Sequence, residues 1–329
     1  MSKFRFFLPA FLCFLLALET SGQISIDNVN EIERLKKSVT YIAMKDTASE
    51  VAQPYKEIFR KYWTFSKIEF ILYDDILKYV SDDASFFTIG GYTTTSTFMR
   101  MSAGGGQRPG LSFENTHLYY ELWVTDPKVL EKWKNRKKKK DELPDSVKKI
   151  IGRIELYTDF ETLAKPENIY QSDYDGGGHI YNWGPGYLKN DIQLLMRLLE
   201  KGEKRWLFKS ETDEKQIKKL KKETLYVPDY VLIKFNKFNG DESKRHDEKD
   251  LLSDYKLPYK LISNAELNRK IIEETEPFYY LVYIKSSTDK YVSVYNSQTG
   301  DLVYTTYTGI SYNLKDKDLG KLESAVSKK

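Results

Sequence analysis

Asp173, Asp175 and His179 are the residues whose types and spacing best suit chemistry, in the order Asp-x-Asp-x-x-x-His ahead of a helix-like stretch. Two carboxylates and an imidazole that close together can hold a divalent cation. The glycines around them, Gly176-Gly177-Gly178 and Trp183-Gly184-Pro185-Gly186, could instead offer backbone N–H groups to an anion at the helix start. The plainer reading is a polar connector whose glycines serve turns, because no second histidine lies nearby. Asp173, Asp175, His179 and Trp183 therefore stand as ligand-contacting candidates, with no metal or cofactor expected. Arg108 joins them from the glycine-rich tip Ala103–Gly110, which lacks the Gly-Lys-Ser/Thr of a phosphate loop and reads as an exposed hairpin end.

Other catalytic arrangements fail on inventory. The three histidines, His117, His179 and His246, fall on a strand, a loop and a polar helix start, and there is neither a Gly-x-Ser-x-Gly elbow nor a His-Glu-x-x-His. The paired carboxylates Asp74-Asp75 and Asp82-Asp83 sit where helix caps are needed, although a glycosidase pair drawn from distant loops stays open. No nucleophile–base constellation emerges, so the chain reads as non-catalytic. The basic run from Trp133 to Lys140 is followed by Asp141-Glu142 and reads as a solvated loop, with no nucleic-acid partner expected. Lys215 to Lys222 places Ile217 and Leu220 on one side of an amphipathic helix with a wet outer face.

The elements that must position these residues fall into two similar halves. Val39–Met44 is strand-like; Val51, Tyr55, Ile58, Phe59 and Tyr62 recur at helical spacing, with Pro54 in the first turn. Lys67–Tyr73 is a strand, and Asp74 is placed to cap a short helix carrying Ile76, Leu77 and Val80. Ser85–Ile89, Thr93–Ser102 and His117–Val124 are extended. The second half repeats that order: Leu225–Phe235 as strand, Asp247–Tyr255 as helix, Tyr259–Ser263 as strand, and Ala265–Ile272 as a helix capped by Asn264. Phe278–Ile284, Tyr291–Tyr295 and Leu302–Tyr307 then follow as strands, the last two joined by a turn at Gly300. Between the halves, Asp126–Arg136 is helical and Ile150–Tyr157 a strand. Leu188, Ile192, Leu195, Met196 and Leu199 share one helical face that packs between the halves. The expected fold is mixed α/β (α+β), with two small α/β domains, each reading β-α-β-α-β-β, joined by a helical linker segment. Their boundaries are residues 23–165 and 211–329, with the linker and interdomain helix over 166–210.

Residues 1–22 read as a signal peptide: Lys3 and Arg5, an apolar run from Phe6 to Leu18, then Glu19-Thr20-Ser21-Gly22 suited to cleavage near Gly22 or Gln23. At 1.5 Å per residue the run covers roughly 20 Å, short of a hydrocarbon core of about 30 Å. The single cysteine, Cys13, lies within it. A processed chain would have no disulfide, thiol nucleophile or lipidation site. The expected protein is exported and soluble, periplasmic or secreted, not a lipoprotein, with no transmembrane segment after cleavage. With 52 basic against 48 acidic residues, composition implies no polyanionic partner.

The pieces Trp63-Thr64-Phe65-Ser66-Lys67-Ile68-Glu69-Phe70-Ile71, Gly186-Tyr187-Leu188-Lys189-Asn190 and Thr299-Gly300-Asp301-Leu302-Val303-Tyr304, in this tandem layout, resemble exported proteins of Bacteroidota. Each half is similar in layout to the amino-terminal α/β domain of TolB and to CsgG-like envelope domains. Asp46-Thr47-Ala48 and Asp145-Ser146-Val147 resemble O-glycosylation acceptors of that phylum. The resemblance implies an envelope setting and carries no active site. The favoured function is a non-catalytic cell-envelope binding or assembly module with an envelope protein as partner. The alternatives are a metal-dependent or hydrolytic enzyme centred on Asp173, Asp175 and His179, and a PepSY-like protease-inhibitor module suggested by the Thr299-Gly300-Asp301 hairpin.

Overall fold

The computed structural model describes residues 23–102, 104–136, 142–159, 162, 179–236, 240–286 and 288–328. Residues 1–22, where a signal peptide is expected, Ala103, the lysines 137–140, and Asp173, Asp175 and Gly176–Gly178 lie outside the described residues. The fold is mixed α+β, built on two six-stranded sheets.

The first sheet contains β1 (Ile24–Ile26), β2 (Val39–Met44), β3 (Lys67–Leu72), β4 (Ala84–Met101), β5 (Gln107–Thr125) and β6 (Lys148–Leu156), in the order β1-β6-β5-β4-β2-β3. The second contains β7 (Glu211–Thr212), β8 (Leu225–Pro228), β11 (Tyr259–Ile262), β12 (Tyr279–Ser286), β13 (Asp289–Asn296) and β14 (Leu302–Thr308), in the order β7-β14-β13-β12-β8-β11. A two-residue pair, β9 (Ile233–Lys234) and β10 (Lys244–Arg245), stands apart. The two orders are the same topology. In each, the second strand runs parallel to the third and fourth, the next strands return antiparallel, and the short first strand closes the far edge.

The registers also coincide. Val39 faces Lys67 on one side and Ala84 on the other; Leu225 faces Tyr259 and Tyr279. Ala84 is thus equivalent to Tyr279, and, counting along the strands, Gly91 to Ser286. The second repeat turns there, pairing Ser286 with Asp289. The first runs on past the Gly91–Leu118 pair as a two-stranded ribbon, with Tyr92 facing His117 at its root and Met101 facing Gln107 near its tip.

Helices α1 (Ile32–Lys37), α2 (Ala52–Tyr62), α3 (Ile76–Tyr79) and α4 (Pro127–Lys134) belong to the first repeat, and α6 (Glu248–Leu251) and α7 (Asn264–Glu273) to the second. The long α5 (Pro185–Lys201) lies between them and α8 (Asp316–Ser327) ends the chain. Apart from Gln193, Arg197 and its ends, α5 is buried nearly all round, as a helix between two layers must be. It packs on α2 and β1 on one side and on α7 on the other. One continuous apolar core runs from Phe59 and Phe87 through Leu188, Ile192 and Leu195 to Leu225, Ile271 and Tyr280. A smaller cluster, including Phe86, Trp123 and Leu130, fills the other face of the first sheet beneath α3 and α4. No helix among the described residues is long and apolar enough to cross a membrane.

Several local expectations need correction. The extended runs before and after Gly90-Gly91 are one strand, β4. Leu225–Phe235 is not one strand: Pro228 ends β8 and Asp229–Leu232 forms a 3-10 turn. Lys215–Lys222 likewise forms a 3-10 turn, Ile217–Lys221, that buries Ile217 and Leu220. Asp74 caps nothing through its side chain, because the chain tightens at Tyr73–Asp75 before α3. The cap of α7 is Ser263, whose hydroxyl accepts from Glu266 N; Asn264 is buried and bonds Tyr181 O and Tyr187 Oη instead. Trp183-Gly184-Pro185-Gly186 starts α5 with Pro185 in its first turn.

Candidate functional site

The candidate site is the polar seam where the two repeats meet at the ribbon root. Backbone geometry places it: β6 delivers Arg153 and Glu155, β5 delivers His117 and Tyr119, and the end of β12 delivers Lys285 and Ser286. Gly90 makes room, since a Cβ there would stand 2.7 Å from the Tyr119 ring and 2.8 Å from the Glu121 carboxyl carbon.

Ser286 is fully buried, with its hydroxyl 2.7 Å from Glu155 Oε2 and 3.1 Å from His117 Nδ1. The Arg153 guanidinium pairs with Glu155 Oε1 and lies over the Tyr119 ring at 3.8 Å. With the carboxylate as acceptor, Ser286 gives its one proton to Glu155, so Nδ1–H of His117 donates to Ser286 Oγ. Burial, aided by the Arg153 charge, pushes the imidazole down to about 4, so it is neutral near pH 7. The ring stacks on Tyr92 at 4.5 Å. Serine, histidine and carboxylate meet here in the wrong order for nucleophilic hydrolysis. The acid holds the hydroxyl rather than the imidazole, and the hydroxyl is enclosed.

A second buried group adjoins it. Lys285 Nζ lies 3.2 Å from Glu242 and 3.4 Å above the centre of the Phe235 ring. Burial lowers the ammonium's pKa and raises that of the Glu242 carboxyl, and each charge opposes the shift of the other. Tyr181 Oη donates to Glu242 at 3.4 Å.

His179 belongs to this region. Its Nδ1 bonds the Asp159 carboxylate, and the backbone pairs Asp159 N to His179 O at 3.0 Å and Tyr181 N to Tyr157 O at 2.8 Å. Trp183 lies elsewhere, fully buried and stacked between Tyr120 at 4.6 Å and Tyr55 at 5.6 Å, so it is part of the core. Arg108 is exposed on the outer ribbon, paired in register with Arg100. Asp173 and Asp175 lie outside the described residues; of the three predicted residues that are described, only His179 comes to the seam. Sequence reading missed Glu155, Ser286 and Lys285. They carry no motif, and 169 residues separate His117 from Ser286. Among the described residues, no group of three or more His, Cys, Asp or Glu side chains is arranged for a metal. A cleft of about 470 Å³ also separates α2 from α7, floored by Ile58, Pro185 and Ala265.

Comparison of the chain with family models, with curated proteins and with solved structures found no match.

Proposed function

We propose that the chain is a non-catalytic binding or assembly module of the bacterial cell envelope, exported by its amino-terminal segment, with the Tyr92–His117 ribbon as its contact arm. The observation that carries this reading is the inequality of the repeats. The second repeat closes the same hairpin at Ser286 and Asp289, so the ribbon is surplus to the fold. Beyond Phe87 on β4 and before Leu118 on β5, neither strand pairs with a third among the described residues. About 30 Å of two-stranded ribbon thus has two open edges. An isolated hairpin is marginal in water, and open edges accept a partner's strand. Tyr92 and Met101 are exposed on it.

The test replaces Tyr92–His117 with a two-residue turn like that of the second repeat. The expected result is a folded protein that no longer crosslinks to its partner in native envelopes. Recovery of the same partner by the shortened protein would overturn the reading. A second reading, hydrolysis centred on His179, draws on the Asp159 carboxylate at Nδ1, which would orient the imidazole as a base. It requires turnover by the purified protein that His179→Gln abolishes.

A further inference from the structure

The second repeat holds a cavity of about 510 Å³ that neither the ribbon nor the seam uses. The β9–β10 pair forms one wall and the segment from Ile310 to Lys315 the other. Lys234, Lys244 and Lys315 line it, all exposed, and none of them enters an ion pair among the described residues. The only carboxylate among the residues lining this cavity, Asp241, accepts from Ser243 N and Ser243 Oγ at 3.0 Å each and feels the charge of Lys244. The site is rigid beneath. Asn313 clamps Phe235 from both sides of its peptide, accepting from Phe235 N at 2.8 Å and donating to Phe235 O at 3.0 Å. Tyr312 stacks on Phe235 at 5.8 Å, and Lys285 stands on that ring from within. At the rim Ile310 is 85% exposed with φ 52°. A β-branched residue in the left-handed region is strained, and such strain gathers where ligands are held.

We propose that this cavity binds an anionic saccharide, a sugar ring carrying phosphate or carboxylate. The negative group meets the three lysines, and the ring lies against Tyr312 and Ile310. Three lysines against one carboxylate leave the lining net positive, which favours an anionic ligand. The volume suits a sugar of one or two rings. The site is separate from the ribbon, so the ribbon-shortened protein retains it, and failure here leaves the contact-arm reading standing.

Calorimetric titration of the full chain with glucose 6-phosphate, glucuronic acid, inorganic phosphate and glucose tests it. At least one charged sugar saturates and binds tighter than both inorganic phosphate and glucose, and which one it is identifies the source of the charge. Lys234→Ala, Lys244→Ala and Lys315→Ala each weaken that binding roughly three- to tenfold without lowering the thermal midpoint. Raising salt from about 0.1 M to 1 M weakens it further as the screening length falls from about 10 Å to 3 Å. Ile310→Gly relieves the backbone, raises the midpoint and loosens the sugars while leaving inorganic phosphate unchanged. Saturation by neither charged sugar, equal affinity for glucose or phosphate, or indifference to all three lysine changes would each overturn the proposal.

Discussion

Holding His117 neutral has a thermodynamic consequence that can be measured. In the unfolded chain the imidazole takes a proton near pH 6.5, whereas in the folded protein burial and Arg153 delay this to about 4. Between those values the unfolded state binds more protons. The histidine therefore leaves stability intact above pH 6.5 and erodes it as pH falls through the window to about 4. The full shift corresponds to roughly 3 kcal/mol, reduced toward 1–2 kcal/mol because the ring is half-buried. Urea unfolding between pH 4 and 8 should show this slope superimposed on that of the carboxylates, and His117→Gln should flatten it. An unchanged pH profile in the variant would mean that the imidazole is solvated. The Ser286–Glu155–Arg153 arrangement was invisible in sequence because each member, on its own strand, is an ordinary polar residue near a strand end.

At the scale of elements, the start of α5 shows most plainly why particular residues are where they are. The Asn268 amide oxygen on α7 accepts from Gly186 N at 3.1 Å and Tyr187 N at 3.3 Å, so one helix supplies the cap of another. The approach is close: a Cβ on Gly186 would stand 2.5 Å from Asn268 O. Gly186→Ala should therefore cost about 2–3 kcal/mol, read from the urea midpoint, by forcing the helices apart. A loss under about 0.5 kcal/mol would show that the contact yields easily. Local pattern carried much of this fold. The strand Val39–Met44 was legible from its residues alone, α2 from its spacing, and the Gly300 turn from its glycine, whose φ is 65°. Pattern failed where tertiary contacts decide. Gly90-Gly91 separates two extended runs in the sequence, yet β4 continues through it and Gly90 leaves room for the Tyr119 ring; Asn264 reads as a cap, yet it is drawn inward by Tyr181 and Tyr187. The equivalence of Gly91 and Ser286 depends on register, which no single strand reveals.

For the whole molecule, the continuous core through α5 makes the two repeats one cooperative unit. Calorimetric melting should give a single transition whose van't Hoff and calorimetric enthalpies agree. Two resolved transitions would mean that each repeat is stable without the faces of α5, contrary to the burial of Leu188, Ile192, Leu195 and Leu199.

That burial also changes how the chain is held together. Tyr157 and Asp159, at the end of the first repeat, are bonded backbone to backbone with Tyr181 and His179, at the start of the stem that leads into α5. The helix belongs by connectivity to the second repeat, yet much of its surface is covered by the first. In mechanical terms α5 is a tenon seated in the other half. The two repeats are therefore joined by an interlock as well as by the chain itself.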